Sequence, residues 1–193
     1  MSLRRSMRRV LGLALVCLVI LTRPSAILAA SSEPKAALLA SASRAGLDVP
    51  LVVQTRERCG PAALQMVLRY YGADAVAMRE ADTAYDPLLH GSLITDLAAA
   101  ARRCGYRAAV VTLTPDSLVG LLHQGIPPII LFQAGSGPIT VGHFGVVTCW
   151  DPASDAFTLN DGGARPHFAR RAELVKRWQT AGSQALVVAR ATP

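Results

Sequence analysis

A cysteine stands directly before Gly-Pro at the start of an amphipathic helical pattern. The stretch ERCGPAALQMVLRYYG runs from Glu57 to Gly72, and its apolar residues recur at helical spacing: Leu64, Val67, Leu68 and Tyr71. Pro61 suits the first turn of a helix and Gly72 suits its end, so the pattern predicts a helix over residues 61–71 with Cys59 at its entrance. A cysteine in that position has four common uses: packing, a disulfide, a metal ligand or a nucleophile.

The first 30 residues have the composition of an export signal. Basic residues precede an uncharged run, VLGLALVCLVIL (10–21), which is followed by Pro24 and by small residues around Ala29. The run is shorter than the roughly 20 apolar residues that a transmembrane helix needs. We therefore expect residues 1–30 to be a signal peptide or an N-terminal anchor. Either form exports the protein to the periplasm or the cell exterior, and the anchored form would associate it with a membrane.

The positive charge of the chain is concentrated in that leader. The formal net charge is +7, from 20 basic and 13 acidic residues. Five of the basic residues lie within residues 1–30, whereas all the acidic residues lie beyond them, so the remainder carries 15 basic and 13 acidic residues. That remainder has no basic stripe interleaved with aromatic residues, which argues against nucleic-acid binding.

Three cysteines follow the leader, at Cys59, Cys104 and Cys149. Export implies an oxidising compartment, yet an odd number leaves at least one thiol free or paired between chains. One interpretation is a disulfide between Cys104 and Cys149 with a buried Cys59. The other gives Cys59 a chemical role and leaves the remaining two as small core residues or as a pair.

The order of the predicted elements indicates an α+β fold. A lead-in over residues 31–47 and a short strand or extended arm at 48–54 precede helices at 61–71, 93–104 and 115–125, the second capped by Ser92 and the third by Thr114. Strand-like segments follow at residues 107–113, 128–132, 143–150, 156–160 and 185–189. Helices first and antiparallel strands later predict two packed layers in one domain, residues 48–193.

The position of Cys59 favours nucleophilic chemistry, because the N-terminus of a helix stabilises the reactive thiolate. A nucleophile needs a base, and the candidates are the four histidines, His90, His123, His143 and His167. Only His143 opens an apolar strand, HFGVVTCW, where an imidazole is costly without a partner. The cysteine and histidine spacings match no zinc site, so neither a metal nor another cofactor is expected.

The base needs an orienting group, and hairpin geometry selects one. If HFGVVTCW pairs with AFTLN across the intervening turn, the position opposite His143 is Asp161, whose carboxylate would lie about 5 Å away and accept a hydrogen bond from Nδ1. A slip of one residue would place Asn160 there instead. An acyl-transfer site also needs donors for an oxyanion, and we expect the Cys59 N–H and the Gln54 side chain to supply them.

These residues together resemble the C39 family of cysteine peptidases, a papain-like group known for removing double-glycine leader peptides from bacteriocin precursors. The resemblance is carried by Gln54, CGPAAL at 59–64, YYG at 70–72, His143-Phe144 and Asp161. It implies a papain-like fold with Cys59 as nucleophile, His143 as general base and acid, Asp161 as orienting residue and Gln54 in the oxyanion hole. The chain departs from the family pattern at Arg58, where an acidic residue is common, and at Gly162, where proline is usual. These features predict a stand-alone exported member.

The predicted function is hydrolysis of a peptide bond in a secreted protein or peptide precursor by a Cys-His-Asp thiol mechanism, with that precursor as the partner. Two alternatives use the same fold. One is a catalytically idle module that binds a peptide or assists secretion, and the other is an amidase or acyltransferase that acts on cell-wall peptides.

Overall fold

The computed structural model describes residues 44–137 and 139–191. The predicted signal peptide or anchor at 1–30, and all but the last four residues of the lead-in, lie outside the described residues. None of the helices among the described residues has the length and hydropathy that a membrane span requires.

Five helices and seven strands make up the described fold. The helices are α1 Cys59–Tyr70, α2 Ala75–Asp82, α3 Ile94–Arg103, α4 Pro115–His123 and α5 Arg171–Thr180. The strands are β1 Ala45–Gly46, β2 Tyr106–Thr112, β3 Ile129–Ser136, β4 Ile139–Asp151, β5 Ala156–Asn160, β6 His167–Arg170 and β7 Gln184–Arg190. Helices α1 to α3 precede most of the strands, as the α+β prediction requires.

The strands form a single sheet in the order β2-β7-β3-β4-β5-β6, and β1 pairs with β4 off this path. Every pair of neighbouring strands is antiparallel. The long strand β4 lies between β3 and β5 and therefore near the middle of the sheet. The predicted α+β fold with an antiparallel sheet is confirmed.

Helices cover both faces of the sheet. Successive strand residues point to opposite faces, and accordingly Ile129 packs with the helices α1 to α3 while Ile130 packs with α4 and α5. The sequence-based prediction of two layers was wrong, because α4 packs on the second face together with α5. Helix α5 was not predicted, and its ten residues bury only Leu174 and Trp178. Two buried residues four positions apart are a weak helical signal, although Trp178 is fully buried in the second core.

Helix α1 is fixed by a fully buried apolar stripe. Leu64, Met66, Val67 and Leu68 are completely inaccessible, and burying each side chain contributes about 1.5–3 kcal/mol. Gly72, just past the helix end, adopts the left-handed φ of +79° that the predicted C-terminal cap requires. The first residue of the helix, Cys59, is therefore held on a rigid element.

Several local predictions were wrong or incomplete. Helix α2 and strand β6 were not predicted, and the arm at 48–54 belongs to no strand. Thr114 caps α4 as expected by accepting a hydrogen bond from the Ser117 N–H at 3.2 Å. Ser92 does not cap α3, because the capping residue is Leu93 and no side chain takes part.

The three described cysteines are free thiols. Cys104 follows α3 and packs against the core beneath helices α1 to α3, with its sulfur 3.9 Å from the carbonyl oxygen of Ala77. Cys149 lies on β4, where it pairs in register with Gly46 of β1. The interpretation that joined Cys104 to Cys149 in a disulfide was therefore wrong.

Candidate active site

Cys59 is the first residue of α1 and is half-buried. The positive end of the helix dipole and the unpaired N–H groups of its first turn stabilise a negative charge at this place. The thiol is also hydrogen-bonded to the ring of His143, which lies on β4. Helix α1 and strand β4 thus bring together the nucleophile and the base that the sequence predicts.

Burial raises the pKa of the Cys59 thiol, because a buried charge loses its hydration. The hydrogen bond from His143, the N–H groups of Phe144 and Gly60 that donate to the sulfur, and the charge of His143 outweigh this effect. The pKa of Cys59 therefore lies below its ordinary value. This environment favours the thiolate.

The base responds in the complementary direction. Burial lowers the pKa of His143. The hydrogen bond with Cys59, the charge of the Cys59 thiolate and the interactions with Asp161 raise that pKa by more than burial lowers it. The net pKa of His143 lies above its ordinary value. A lowered thiol pKa beside a raised imidazole pKa is the electrostatic condition for a thiolate–imidazolium pair.

The third residue contacts the base through its backbone, not through its carboxylate. His143 Nε2 lies 2.8 Å from the carbonyl oxygen of Asp161. Because a carbonyl oxygen only accepts, Nε2 carries the hydrogen and Nδ1 is left to exchange a proton with Cys59. The sequence-based expectation that the Asp161 side chain would accept from Nδ1 was therefore wrong for both atoms. The donor is Nε2, and the acceptor is the backbone carbonyl oxygen.

The hairpin register explains this difference. Strands β4 and β5 are paired with Val146 opposite Asn160, and the register shifts by a bulge between Val147 and Cys149. This alignment carries Asp161 past the end of β5 beside Gly145, where a side-chain carbon would lie 3.6 Å from the Asp161 Cβ. His143 is thus diagonal to Asp161 and not directly opposite, and in the sheet it pairs with Phe132 of β3.

The fallback residue Asn160 is committed elsewhere. Its side chain is buried and its Nδ2 donates to the Val49 carbonyl at 2.9 Å. Neighbouring residues of an extended chain point to opposite sides, so Asn160 faces the arm while Asp161 approaches His143. Asn160 therefore anchors the arm that carries Gln54.

A second histidine, which the sequence analysis named as a candidate base but did not favour, holds the Asp161 carboxylate. His167 Nδ1 lies 3.1 Å from Asp161 Oδ2, and the Gly163 N–H donates to Oδ1 at 3.2 Å. These two contacts engage both oxygens of the carboxylate. The sequence analysis missed this contact because it did not predict the short strand β6, which brings His167 back toward Asp161 after a turn, six residues further along the chain.

Gln54 is held by the residue that follows Asp161. Its N–H donates to the Gly162 carbonyl at 2.9 Å. Gly162 has φ +87°, and a side-chain carbon there would lie only 2.8 Å from two carbons of the Gln54 side chain. Among the described residues, the Gln54 Oε1 atom is buried without a hydrogen-bond partner, an arrangement that typically costs about 1–3 kcal/mol. The glycine that departs from the family pattern is thus required by the packing of Gln54.

Gly60 has a comparable packing reason. A side-chain carbon at Gly60 would lie 2.8 Å from the Cβ and Oγ atoms of Ser92. Ser92 thus packs against the start of α1 and does not cap α3. The glycine after the cysteine is required by this close approach.

These residues open into a cleft of about 720 Å³. Cys59, His143 and Gln54 line it together with apolar side chains, namely Leu89, Leu93, Leu131, Val141 and Phe144. At its rim, Glu57 Oε2 lies 3.1 Å from His90 Nδ1 and accepts from the Tyr85 hydroxyl at 3.3 Å. The site is a partly apolar groove with the candidate nucleophile Cys59, the candidate base His143 and the Gln54 amide in its wall. Such a groove suits an extended chain with a reactive carbonyl.

Comparison with known proteins agrees with this geometry. Residues 46–186, well over half of the chain, match the family described as "Peptidase_C39 like family". No curated protein matches the sequence significantly.

Three solved structures have a similar fold. The first is a double glycine motif protease from an AMS/PCAT transporter, solved with the leader peptide (20% identity, 76% of this chain and 95% of that chain covered, TM-score 0.60). The second is described as a C39-like peptidase from Bacillus anthracis (16% identity, 78% and 100% covered, TM-score 0.63). The third is the peptidase domain of Streptococcus ComA, a bi-functional ABC transporter involved in quorum sensing (19% identity, 73% and 98% covered, TM-score 0.58). At these identities the likeness demonstrates the fold alone.

The reactivity of Cys59 should reveal its lowered pKa. Iodoacetamide alkylates thiolates, so at about pH 6–7 we expect Cys59 to react faster than Cys104, whose pKa is raised by burial and by Glu80. His143→Ala removes the hydrogen bond and the positive charge, so the pH–rate profile of Cys59 should move to higher pH. Mass spectrometry of the alkylated peptides measures both rates. Equal profiles for the two cysteines, or no movement in the variant, would contradict this assignment.

The contact between Gly162 and Gln54 can be isolated by a matched pair of substitutions. Gly162→Ala should lower the free energy of unfolding more than Gly105→Ala, because both glycines have similar positive φ but only Gly162 faces a neighbour within 4 Å. We expect a difference of about 1–3 kcal/mol, typical of overpacking. Urea unfolding of both variants measures it, and equal losses would show that the close approach is unimportant.

Proposed function

The chain belongs to the C39-like peptidase family, and from this premise we propose that it is an exported cysteine peptidase that cleaves a peptide bond in a secreted protein or peptide precursor. The C39-like fold supports a peptidase or a related role. The observation that carries the finer proposal is the pairing of Cys59 with His143, with opposite shifts of the two pKa values. An idle peptide-binding module has no need of a stabilised thiolate.

In the proposed reaction, the Cys59 thiolate attacks the carbonyl carbon of the scissile peptide bond. The C–N bond then breaks as the His143 imidazolium gives its Nδ1 proton to the leaving amine, and a thioester remains on Cys59. A water molecule attacks the thioester while His143 takes a proton from it. The C–S bond breaks, the acid product leaves and the thiolate–imidazolium pair is restored.

The carbonyl oxygen of Asp161 orients the base throughout this cycle. It accepts from Nε2 whether the ring is neutral or charged, so the same nitrogen always faces Cys59. This hydrogen bond keeps the ring from turning over and favours the neutral tautomer that carries its hydrogen on Nε2. In this proposal Asp161 acts mainly through its backbone, and its carboxylate contributes by fixing the turn.

The developing oxyanion needs donors that are already in place. We assign this role to the Cys59 N–H and to the side-chain amide of Gln54, which lines the same cleft as Cys59 and His143. The buried, unpartnered Oε1 of Gln54 supports the assignment, because the packing of Gly162 holds this side chain at a cost in polar burial. Preorganised donors of this kind are worth about 10²–10³ in kcat.

A peptide substrate is supported by the shape of the cleft and by one relative. The double glycine motif protease from the AMS/PCAT transporter was solved with a leader peptide. For the present chain, the partly apolar groove beside Cys59 offers space for an extended peptide. The leader-like residues 1–30 support export, which would bring the site together with secreted precursors.

The proposed activity can be tested by offering the full-length protein a mixture of proteome-derived peptides. Wild-type protein should generate new peptide termini, and Cys59→Ala should generate none because it removes the nucleophile. Gln54→Ala should retain the specificity but lose about 10²–10³ in kcat. New termini are identified by mass spectrometry.

Cys104→Ala is the matched control, since that thiol lies outside the cleft and should leave the pattern unchanged. Cleavage that persists in Cys59→Ala would reject the thiol mechanism. Absence of cleavage by wild-type protein would favour the idle module.

The backbone role of Asp161 makes an unusual prediction. Asp161→Asn keeps the carbonyl that holds His143, so we expect kcat to fall by about tenfold or less, against the roughly 10⁴-fold loss found where an orienting carboxylate contacts the base directly. Steady-state kinetics on the peptide cleaved best by the wild type measures the change. A loss near 10⁴-fold would show that the carboxylate itself contacts His143 during turnover.

A further inference from the structure

A second groove lies beside the catalytic cleft. It has a volume of about 670 Å³ and runs between α1, α2 and the arm. Its lining comes from three segments: Gln54 and its neighbours at the end of the arm, Arg58 and Gln65 at α1, and Arg79 and Asp82 at α2. The Gln65 side chain donates to the Met78 carbonyl at 3.0 Å and so ties α1 to α2 across the groove.

This groove is adjacent to the chemistry. Gln54 lines both cavities, and Arg58 in the second groove directly precedes the nucleophile Cys59. A peptide bound with its reactive carbonyl at Cys59 and its oxygen at Gln54 therefore meets the second groove within a few residues. Whatever the groove binds lies close to the scissile bond.

The groove carries a positive charge that has no internal partner. Arg79 lies in the last turn of α2, is exposed, and has neither an ion pair nor a hydrogen bond with any of the described residues. Arg58 is held in place, with its guanidinium 4.3 Å from the centre of the Tyr85 ring and 3.9 Å from the Asp82 carboxylate. Two guanidinium groups thus face one carboxylate, and the long contact to Asp82 leaves most donors of Arg58 unused.

The catalytic cleft has the opposite character. The charged residue at its rim is Glu57, which is engaged with His90 and Tyr85. An acidic group on a substrate would be repelled there and attracted to Arg58 and Arg79. The charges on the two sides of Gln54 therefore distinguish the two ends of a bound chain.

We propose that the groove between α1, α2 and the arm is a subsite for a carboxylate of the substrate, and that the protein selects peptides with an aspartate or glutamate within a few residues of the cleaved bond. This inference rests on the proposed peptidase function. Arginine suits the task because its planar fork donates two parallel hydrogen bonds to a carboxylate. Arg58 is preorganised by Tyr85, and Arg79 closes on the ligand from α2.

The test compares the wild type with Arg79→Gln and with the matched control Arg69→Gln, an exposed arginine in the last turn of α1 that does not line the groove. In the first arm, the full chain digests proteome-derived peptides, and the residues flanking each cleaved bond are counted. We expect acidic residues to be enriched at one flanking position by about three- to tenfold, the range for a partly exposed charge-assisted contact. Arg79→Gln should remove the enrichment and Arg69→Gln should keep it.

The second arm measures binding without turnover. The Cys59→Ala protein, alone and combined with Arg79→Gln or Arg69→Gln, is immobilised and offered the same peptides, and retained peptides are scored for acidic residues. Retention of acidic peptides that depends on Arg79 and weakens with added salt supports the subsite, even if the wild type cleaves nothing and the proposed function fails. Cleavage without an acidic preference, retention without an acidic preference, or an equal effect of both arginine substitutions overturns the subsite. The absence of any retained acidic peptide overturns it as well. The peptidase proposal is judged separately, by whether the wild type cleaves peptides in the first arm.

Discussion

The hydrogen bond between Cys59 and His143 is the interaction on which the proposed chemistry depends. Its two partners come from the most constrained parts of the fold, the first residue of a helix with a fully buried stripe and a long strand near the centre of the sheet. Neither partner can shift far without disturbing a core. Rigid placement keeps the thiolate and the imidazolium together, and each lowers the electrostatic cost of burying the other.

The turn after β5 organises the rest of the site. Asp161 holds the base through its carbonyl, Gly162 accepts from the Gln54 backbone and packs on its side chain, and Gly163 binds the Asp161 carboxylate. His167 at the start of β6 fixes that carboxylate from the other side. Three consecutive residues thus position both the base and the amide proposed for the oxyanion hole. Gly162, where the family usually has proline, therefore helps to position Gln54 in the site.

Local physics allowed the sequence to predict much of this arrangement. The apolar spacing after Cys59 and the cost of an imidazole in an apolar strand identified the helix entrance and His143, and the structure brings these two residues together. Asp161 was selected, but its contacting atom was not, because β4 and β5 pair as far as Asp151 opposite Ala156, and a turn at this place leaves Asp161 beside Gly145 and not opposite His143.

Elements with few buried residues were missed. Helix α5 buries two side chains and strand β6 has four residues, so the role of His167 depends on tertiary packing that periodicity does not report. The Ser92 cap failed for a similar reason, because close packing against Gly60 took that side chain away from α3. Features that depend on long-range packing could not be predicted from the local sequence pattern.

The central claim, a thiolate–imidazolium pair at the start of α1, is tested most directly by the protonation of the His143 ring. A nuclear magnetic resonance titration can follow that ring in the wild type and in Cys59→Ala. We expect the ring in the wild type to stay protonated at pH values above the ordinary histidine pKa. In Cys59→Ala the pKa of the ring should fall, because the thiolate is removed and burial remains. A His143 ring that titrates at the same pH in both proteins would contradict it.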